Sequence, residues 1–214
     1  KALSLLFKQP IQIVGAGRTD SGVHAKQMYA HFDCDFEIDS DYWVSKFNSF
    51  LGKNIVIYRF IPVNEDAHTR FDATSRTYEY YIHTFKDVFQ NEGSWYYFNQ
   101  LNVDLMNEAC KILFEFEDFE CFSKTNTDVN TFLCDITEAN WKVKGNQLIF
   151  TVTANRFLRN MVRAIVGTLI NVGIGKITLD DFRAIIESKN RGKAGFSVPA
   201  HGLYLVNVKY PYID

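Results

Sequence analysis

No apolar run in this chain reaches the roughly 18 residues that a bilayer-spanning helix needs. The four cysteines, Cys34, Cys110, Cys121 and Cys134, never fall as C-x-x-C. That spacing argues against a zinc ribbon and a disulfide framework and predicts reduced thiols in a cytoplasmic protein. The five histidines form neither H-x-x-x-H nor H-E-x-x-H, so no metal site is expected. A phosphate loop of the G-x-x-x-x-G-K-[ST] kind is missing, as are a G-x-S-x-G elbow and a Ser-His-Asp order. Internal repeats, low-complexity segments and Pro/Gly/Ser-rich linkers are absent too. The start, K-A-L-S-L-L-F-K, reads as the tail of an amphipathic helix rather than a signal peptide, and it carries no initiator Met.

Against these absences, 47% hydrophobic and 15% aromatic content supports a core of ordinary size, and 22% charged residues argues against global disorder. The net charge of −2 hides an asymmetry: residues 140–214 hold 11 Lys+Arg against 4 Asp+Glu, and residues 1–139 hold 12 against 21. A basic C-terminal third suits a polyanionic partner, although solvated lysines alone would produce the same count.

Hydrophobic periodicity predicts a strand at 11–14, a glycine-bracketed loop at 15–22 and a half-buried strand at 28–32. Asp39 to Asp41 can cap a helix over 42–51, stopped by Gly52. Residues 54–63 form a β-rich run and 73–85 a long strand with Thr74, Arg76, Tyr78, Tyr80 and Ile82 on one face. A helix is expected over 104–116, and a hairpin at 141–152 turning on K-G-N-Q. The clearest helix spans 157–172 on a 3.6-residue period; Thr178 and Asp181 resemble a capping box, 189–194 a basic loop, and 203–208 a last strand. The fold class is therefore α+β with a mostly antiparallel sheet.

Three segments can carry chemistry. In G-A-G-R-T-D-S-G the glycines at 15, 17 and 22 let the backbone bend around Arg18, Thr19 and Asp20, and Asp20 is the only carboxylate inside the loop. A tight turn with surface Arg and Asp is the plain alternative. In R-T-Y-E-Y-Y-I, Arg76 and Tyr78 share a strand face, where an aromatic could stack a base or simply join the core. In N-R-F-L-R-N-M-V-R-A-I-V-G, helical spacing clusters Arg156, Arg159 and Arg163 beside the apolar stripe, with Gly167 leaving room for close approach. Such a flank can hold RNA phosphate, clamp a carboxylate, or merely be solvated.

All three segments, in order, resemble the tRNA pseudouridine synthase A family. A-G-R-T-D-S-G-V-H-A (16–25) resembles its signature loop, in which the Asp, here Asp20, is the nucleophile. R-F-D-A-T-S-R-T-Y-E-Y-Y-I (70–82) is similar to the strand bearing its substrate-contacting Tyr, here Tyr78. N-R-F-L-R-N-M-V-R-A-I-V-G-T-L (155–169) resembles the helix whose Arg, here Arg163, pairs with that Asp. G-L-Y-L-V-N-V-K-Y-P matches its closing strand. The family's opening strand and Y-D-G…G-W-Q segment have no counterpart, so the chain is expected to be a piece of a longer protein.

The resemblance implies isomerisation of uridine to pseudouridine in the anticodon stem-loop, around positions 38 to 40 of the tRNA. It also implies a homodimer without cofactor or metal. The implied fold is two similar α/β lobes sharing a sheet with a central cleft, divided here as 1–100 and 101–214. Asp20 must be ionised to attack C1′ of the ribose or C6 of the base, and an Arg at salt-bridge distance favours that form and fixes its rotamer. Arg18 is placed to occupy the space a flipped base vacates. Tyr78 can stack on the base or take the C5 proton. Arg18, Arg76, Arg156 and Arg159 are the remaining expected RNA contacts. Three other readings are a synthase for another RNA position, a non-catalytic RNA-binding module and a nucleoside hydrolase. Intact Asp20, Tyr78 and Arg163 argue against the second, and the basic C-terminal third against the last.

Overall fold

The computed structural model describes residues 1–125 and 129–213. In chain order its elements are α1 (Ala2–Leu6), β1 (Val14–Gly15), β2 (His24–Ala25), β3 (Ala30–His31), α2 (Ser40–Phe50), β4 (Ser75–His83) and β5 (Trp95–Tyr96). There follow α3 (Val103–Ile112), β6 (Ile136–Lys144), β7 (Gln147–Ala154), α4 (Met161–Gly173), α5 (Leu179–Glu187) and β8 (Leu203–Lys209). The main sheet runs β2-β8-β4-β7-β6, with β5 also on β4. The long pairings β8–β4, β4–β7 and β7–β6 are antiparallel, and only the two-residue strands β2 and β5 pair in parallel. The fold is mixed α/β with a mostly antiparallel sheet. Its central strand β4 comes from the first hundred residues and its neighbours β7 and β8 from the second, so the sheet crosses residue 100.

β7 shows why these residues make a strand. Leu148, Phe150, Val152 and Ala154 are buried, and the residues between them are half-exposed, the period-2 mark of a sheet with one covered face. Gly145 supplies the positive φ (59°) that the two-residue turn from β6 requires at its first central position. On β4 the same alternation buries Tyr80 and Ile82 completely. α5 starts on a full capping box, Thr178 accepting from the Asp181 N–H and Asp181 from the Thr178 N–H.

Three local expectations are corrected. Residues 54–63 form no strand, and α2 side chains take backbone groups of Ile57 and Phe60. Asn48 donates to the Ile57 carbonyl (2.8 Å) and accepts from its N–H (2.7 Å), while Ser40 Oγ accepts from the Phe60 N–H (3.1 Å). An extended segment satisfied by side chains has no need of a β partner. In 11–14 only Val14 reaches a strand, paired through β1 with β3.

The third correction concerns α4, which begins at Met161, four residues later than its periodicity suggested. Asn160 sits in the left-handed region (φ 68°), where Asn is among the residues best tolerated. The Arg159 carbonyl accepts from the Lys124 N–H instead of entering a helical ladder. Arg156 and Arg159 therefore lie in a loop, not on a helical face with Arg163. α4 is also buried nearly all round rather than on one stripe: α3, α5, the turn Glu120–Phe122 and residues 195–198 lie against it, and its apolar residues share one core cluster with those of the sheet.

The first sixty residues build a separate aromatic cluster, in which Phe7 contacts Phe32, Phe36, Trp43 and Phe47, while Phe60 closes on Phe32 and Phe47. Truncating the α5 cap tests the fold account at one point. Thr178→Ala is expected to lower unfolding stability by about 1 kcal/mol in urea titration, with the denaturant slope unchanged.

Candidate active site

The loop carrying Asp20 is fixed at both ends. On one side the buried Ala16 donates to the Tyr29 carbonyl (2.9 Å), and its own carbonyl accepts from Arg76 Nη2 (3.3 Å). On the other, β2 joins β8, and the Lys26 N–H donates to the Leu205 carbonyl (2.8 Å). Between them the Val23 N–H closes a turn on the Asp20 carbonyl (3.1 Å). Of the three loop glycines only Gly22 takes a positive φ (84°), so the conformational demand is local to the third residue of that turn.

Arg163 meets this loop from the first turn of α4. Its Nη1 donates to Asp20 Oδ2 at 2.9 Å, and its Nε donates to the Val198 carbonyl at 2.7 Å. The second bond aims the first, because a planar guanidinium held at Nε has little freedom at Nη1. Val198 reaches this position on a segment laid directly over α4. A Cβ on Gly167 would stand 1.9 Å from the Phe196 carbonyl oxygen, and one on Gly195 would meet Gly167 at 2.6 Å. Two facing glycines thus bring backbone onto backbone. Thr168 Oγ1 accepts from the Gly195 N–H (2.8 Å), and Tyr80 Oη donates to the Pro199 carbonyl (2.8 Å).

A second cation stands beside the carboxylate: Arg159 Nε lies 3.8 Å from Asp20 Oδ1. The Arg159 side chain is 59% exposed, against 19% for Arg163 and 25% for Asp20. The exposed pair is correspondingly weaker, since water screens it. Sequence reasoning gave Arg159 to RNA phosphate from a helical wheel, and its proximity to Asp20 follows instead from the loop conformation. The Asn at 160, a residue suited to the left-handed region, was the available signal.

The other predicted site residues divide. Tyr78 bridges the main core and the small cluster of Ala16, Leu205, Val208 and Tyr210, with its ring edge-to-face on Phe157 (5.1 Å). Burial pushes its hydroxyl pKa up, the nearby Arg76 opposes this, and the Asp20 charge adds to the rise. Arg18 is exposed and makes no hydrogen bond or ion pair among the described residues. Arg76 spends donors on three carbonyls, those of Asn155, Ala16 and Arg70, and burial lowers its pKa. Arg156 donates to the Thr131 carbonyl (3.3 Å).

Asp20 and Arg163 open onto a cavity of about 440 Å³ shared with Lys124, Asn160, Arg191 and Ser197. Its rim is tied together, with Ser197 Oγ accepting from both Asn160 Nδ2 (2.7 Å) and Arg191 Nη2 (2.9 Å). Asn160, Ser197 and Arg191 were not singled out from the sequence beyond the basic character of 189–194. Among the described residues no group of three or more His, Cys, Asp or Glu could hold a metal ion, and no helix is long and apolar enough to cross a membrane.

Comparison with known proteins agrees along the whole chain. A family model described as tRNA pseudouridine synthase matches residues 109–211. A protein of Parabacteroides distasonis named tRNA pseudouridine synthase A is 53% identical over 212 residues, covering 99% of this chain and 84% of that protein. Its namesake in Porphyromonas gingivalis is 51% identical over 215 residues (99% and 85%). The Bacillus subtilis protein of that name is 39% identical over 214 residues (98% and 87%).

The glycine contact can be tested without any substrate. Gly167→Ala forces a methyl group into the Phe196 carbonyl and is expected to cost roughly 1–3 kcal/mol in denaturant unfolding. An unchanged midpoint would mean that the segment over α4 yields freely.

Proposed function

The chain belongs to the tRNA pseudouridine synthase A family, and from that premise we propose that it isomerises uridine to pseudouridine in the anticodon stem-loop of tRNA with Asp20 as nucleophile. The observation that carries this reading is the Asp20 carboxylate, held by Arg163 at 2.9 Å and, among the described residues, the one carboxylate facing a cavity of about 440 Å³ rimmed by cations. Pockets of this size hold small ligands, and a uridine swung out of its stack is of that class.

The reaction breaks N1–C1′ and forms C5–C1′, while C5 loses a proton and N1 gains one. Nothing is added, removed or oxidised, so the chemistry asks for no cofactor. Asp20 attacks at C1′ or C6, and Arg163 orients the carboxylate and balances its charge while that bond forms and breaks. The wall around the cavity keeps water from trapping the intermediate. Arg18, exposed and unpaired among the described residues, fills the gap the flipped base leaves. Arg76 acts indirectly, tying the Ala16 end of the catalytic loop to Asn155 and Arg70. Arg156, half-exposed on the loop before α4, and Arg159 beside Asp20 supply contacts to RNA phosphate. On this reading the protein acts in the cytoplasm as a homodimer, with 1–100 carrying the nucleophile and 101–214 the cation that holds it.

Of the two roles open to Tyr78, burial favours stacking. Its raised pKa keeps the phenol neutral well past neutrality, and a neutral phenol is a poor acceptor for the C5 proton. Tyr78→Phe is expected to keep measurable turnover and tRNA affinity. A loss as complete as that of Asp20→Asn would return the base role to its hydroxyl.

Tritium release from C5-tritiated tRNA tests the central claim. Asp20→Asn is expected to abolish release while leaving tRNA affinity nearly unchanged. Binding without release by the wild type would favour a non-catalytic RNA-binding module. Single-turnover rates at saturating tRNA should rank the arginines. Arg163→Ala is expected to slow the chemistry about a hundredfold, equivalent to about 2.7 kcal/mol. Arg159→Ala should slow it less, and Arg156→Ala mainly weaken binding. Arg163→Lys should not rescue, since one ammonium cannot serve Asp20 and the Val198 carbonyl in the guanidinium geometry. Equal rates for all three Ala variants would remove Arg163 from the nucleophile.

A further inference from the structure

A second cavity, of about 520 Å³, adjoins the one at Asp20, and the two share Lys124, Thr125 and Arg191 as a common wall. Among the described residues its lining also holds Phe132, Glu120 and Lys189, whose ammonium is paired with Asp118 (2.6 Å). Arg191 is anchored in this wall: Nη1 donates to the Gly195 carbonyl (3.0 Å) and Nη2 to Ser197 Oγ (2.9 Å). Among the described residues these bonds use two of its five N–H donors, on a guanidinium whose position is already fixed. Phe132 packs its ring partly into the core and leaves the rest at the cavity, a flat apolar surface within a polar lining.

The geometry points to a subsite for the nucleotide next to the target uridine, its phosphate held by Arg191 on the shared wall and its base laid against Phe132. A polynucleotide is continuous, so a uridine seated at Asp20 must carry its flanking phosphates out over the walls of that cavity. One wall bears an anchored guanidinium and adjoins a second space of nucleotide size. Anchored arginine for phosphate and an aromatic face for a base are the recognition chemistry of single-stranded RNA. This subsite rests on the isomerase reading, because it presumes that the target enters at Asp20.

The test uses the full enzyme and an anticodon stem-loop RNA in which the modified uridine has first been located. Methylphosphonate replaces, in turn, the phosphate on each side of that uridine, removing one charge without moving the chain. In the wild type one of the two replacements is expected to weaken binding about tenfold, and Arg191→Ala to do the same with unmodified RNA. Combined, the two changes should cost no more than either alone, since both delete one contact. Losses that multiply at both phosphates overturn the subsite, even if each is large, because a merely structural Arg191 gives that result. Should Arg191→Ala lose its cooperative melt, the same cycle is run with Phe132→Leu against an abasic residue at each neighbouring position. Shared losses at one neighbour support the subsite, and multiplying losses at both overturn it. A wild type that leaves every stem-loop unmodified fails the isomerase reading itself. One that modifies them while the losses multiply fails the subsite alone.

Discussion

The ion pair between Asp20 and Arg163 joins residues 143 positions apart in the chain, and most of the surrounding structure serves to hold its two halves in register. Neither half could hold itself. Asp20 lies on a short loop whose own turn is a single hydrogen bond, and Arg163 carries a long side chain with several rotatable bonds. Their 2.9 Å contact depends on β2 joining β8 on one side and on the Val198 carbonyl gripping Nε on the other. Losing conformational freedom costs free energy wherever it happens. Here that cost falls on backbone already ordered by the sheet and by α4.

The segment over α4 shows how a buried helix can still present a functional group. A helix covered on all sides usually has no surface left for chemistry. α4 escapes that limit because glycine at 167 and at 195 lets a strip of main chain lie against it, with no side chains between. The strip supplies carbonyls and N–H groups, which are directional, where a side-chain layer would supply only contact. Ser197 and Val198, two residues of one segment, therefore fix the rim of the cavity and the aim of the cation together.

The charge asymmetry of the chain also acquires a location. The acidic excess lies wholly in the first 139 residues, yet the cavity at Asp20 is lined by Lys124, Arg163 and Arg191. A carboxylate nucleophile would repel an RNA backbone. Arg163 and Arg159 on the same carboxylate, with Lys124 and Arg191 around it, reverse the local sign without removing the reactive group.

Much of the architecture was legible from residues alone, where local patterns dominate. The alternation of β4 and β7, the Gly145 turn and the Thr178–Asp181 capping box each express a preference that neighbouring residues satisfy among themselves. The motifs around Asp20, Tyr78 and Arg163 likewise pointed to a family before any distance was known. Three things were decided only by the tertiary structure. Residues 54–63 carry strand propensity, but α2 side chains take the backbone groups of Ile57 and the Phe60 N–H. Arg156 and Arg159 fit a helical wheel, but a left-handed Asn160 and a carbonyl bonded to Lys124 end the helix before it reaches them. Arg191 looked like part of a basic loop over 189–194 and Ser197 stood outside it, until Gly195 and Gly167 laid the segment across α4 and beside the nucleophile. The common reason is that sequence periodicity reports which faces are apolar. Which distant backbone group will satisfy a given N–H or carbonyl is settled only when the chain has closed on itself.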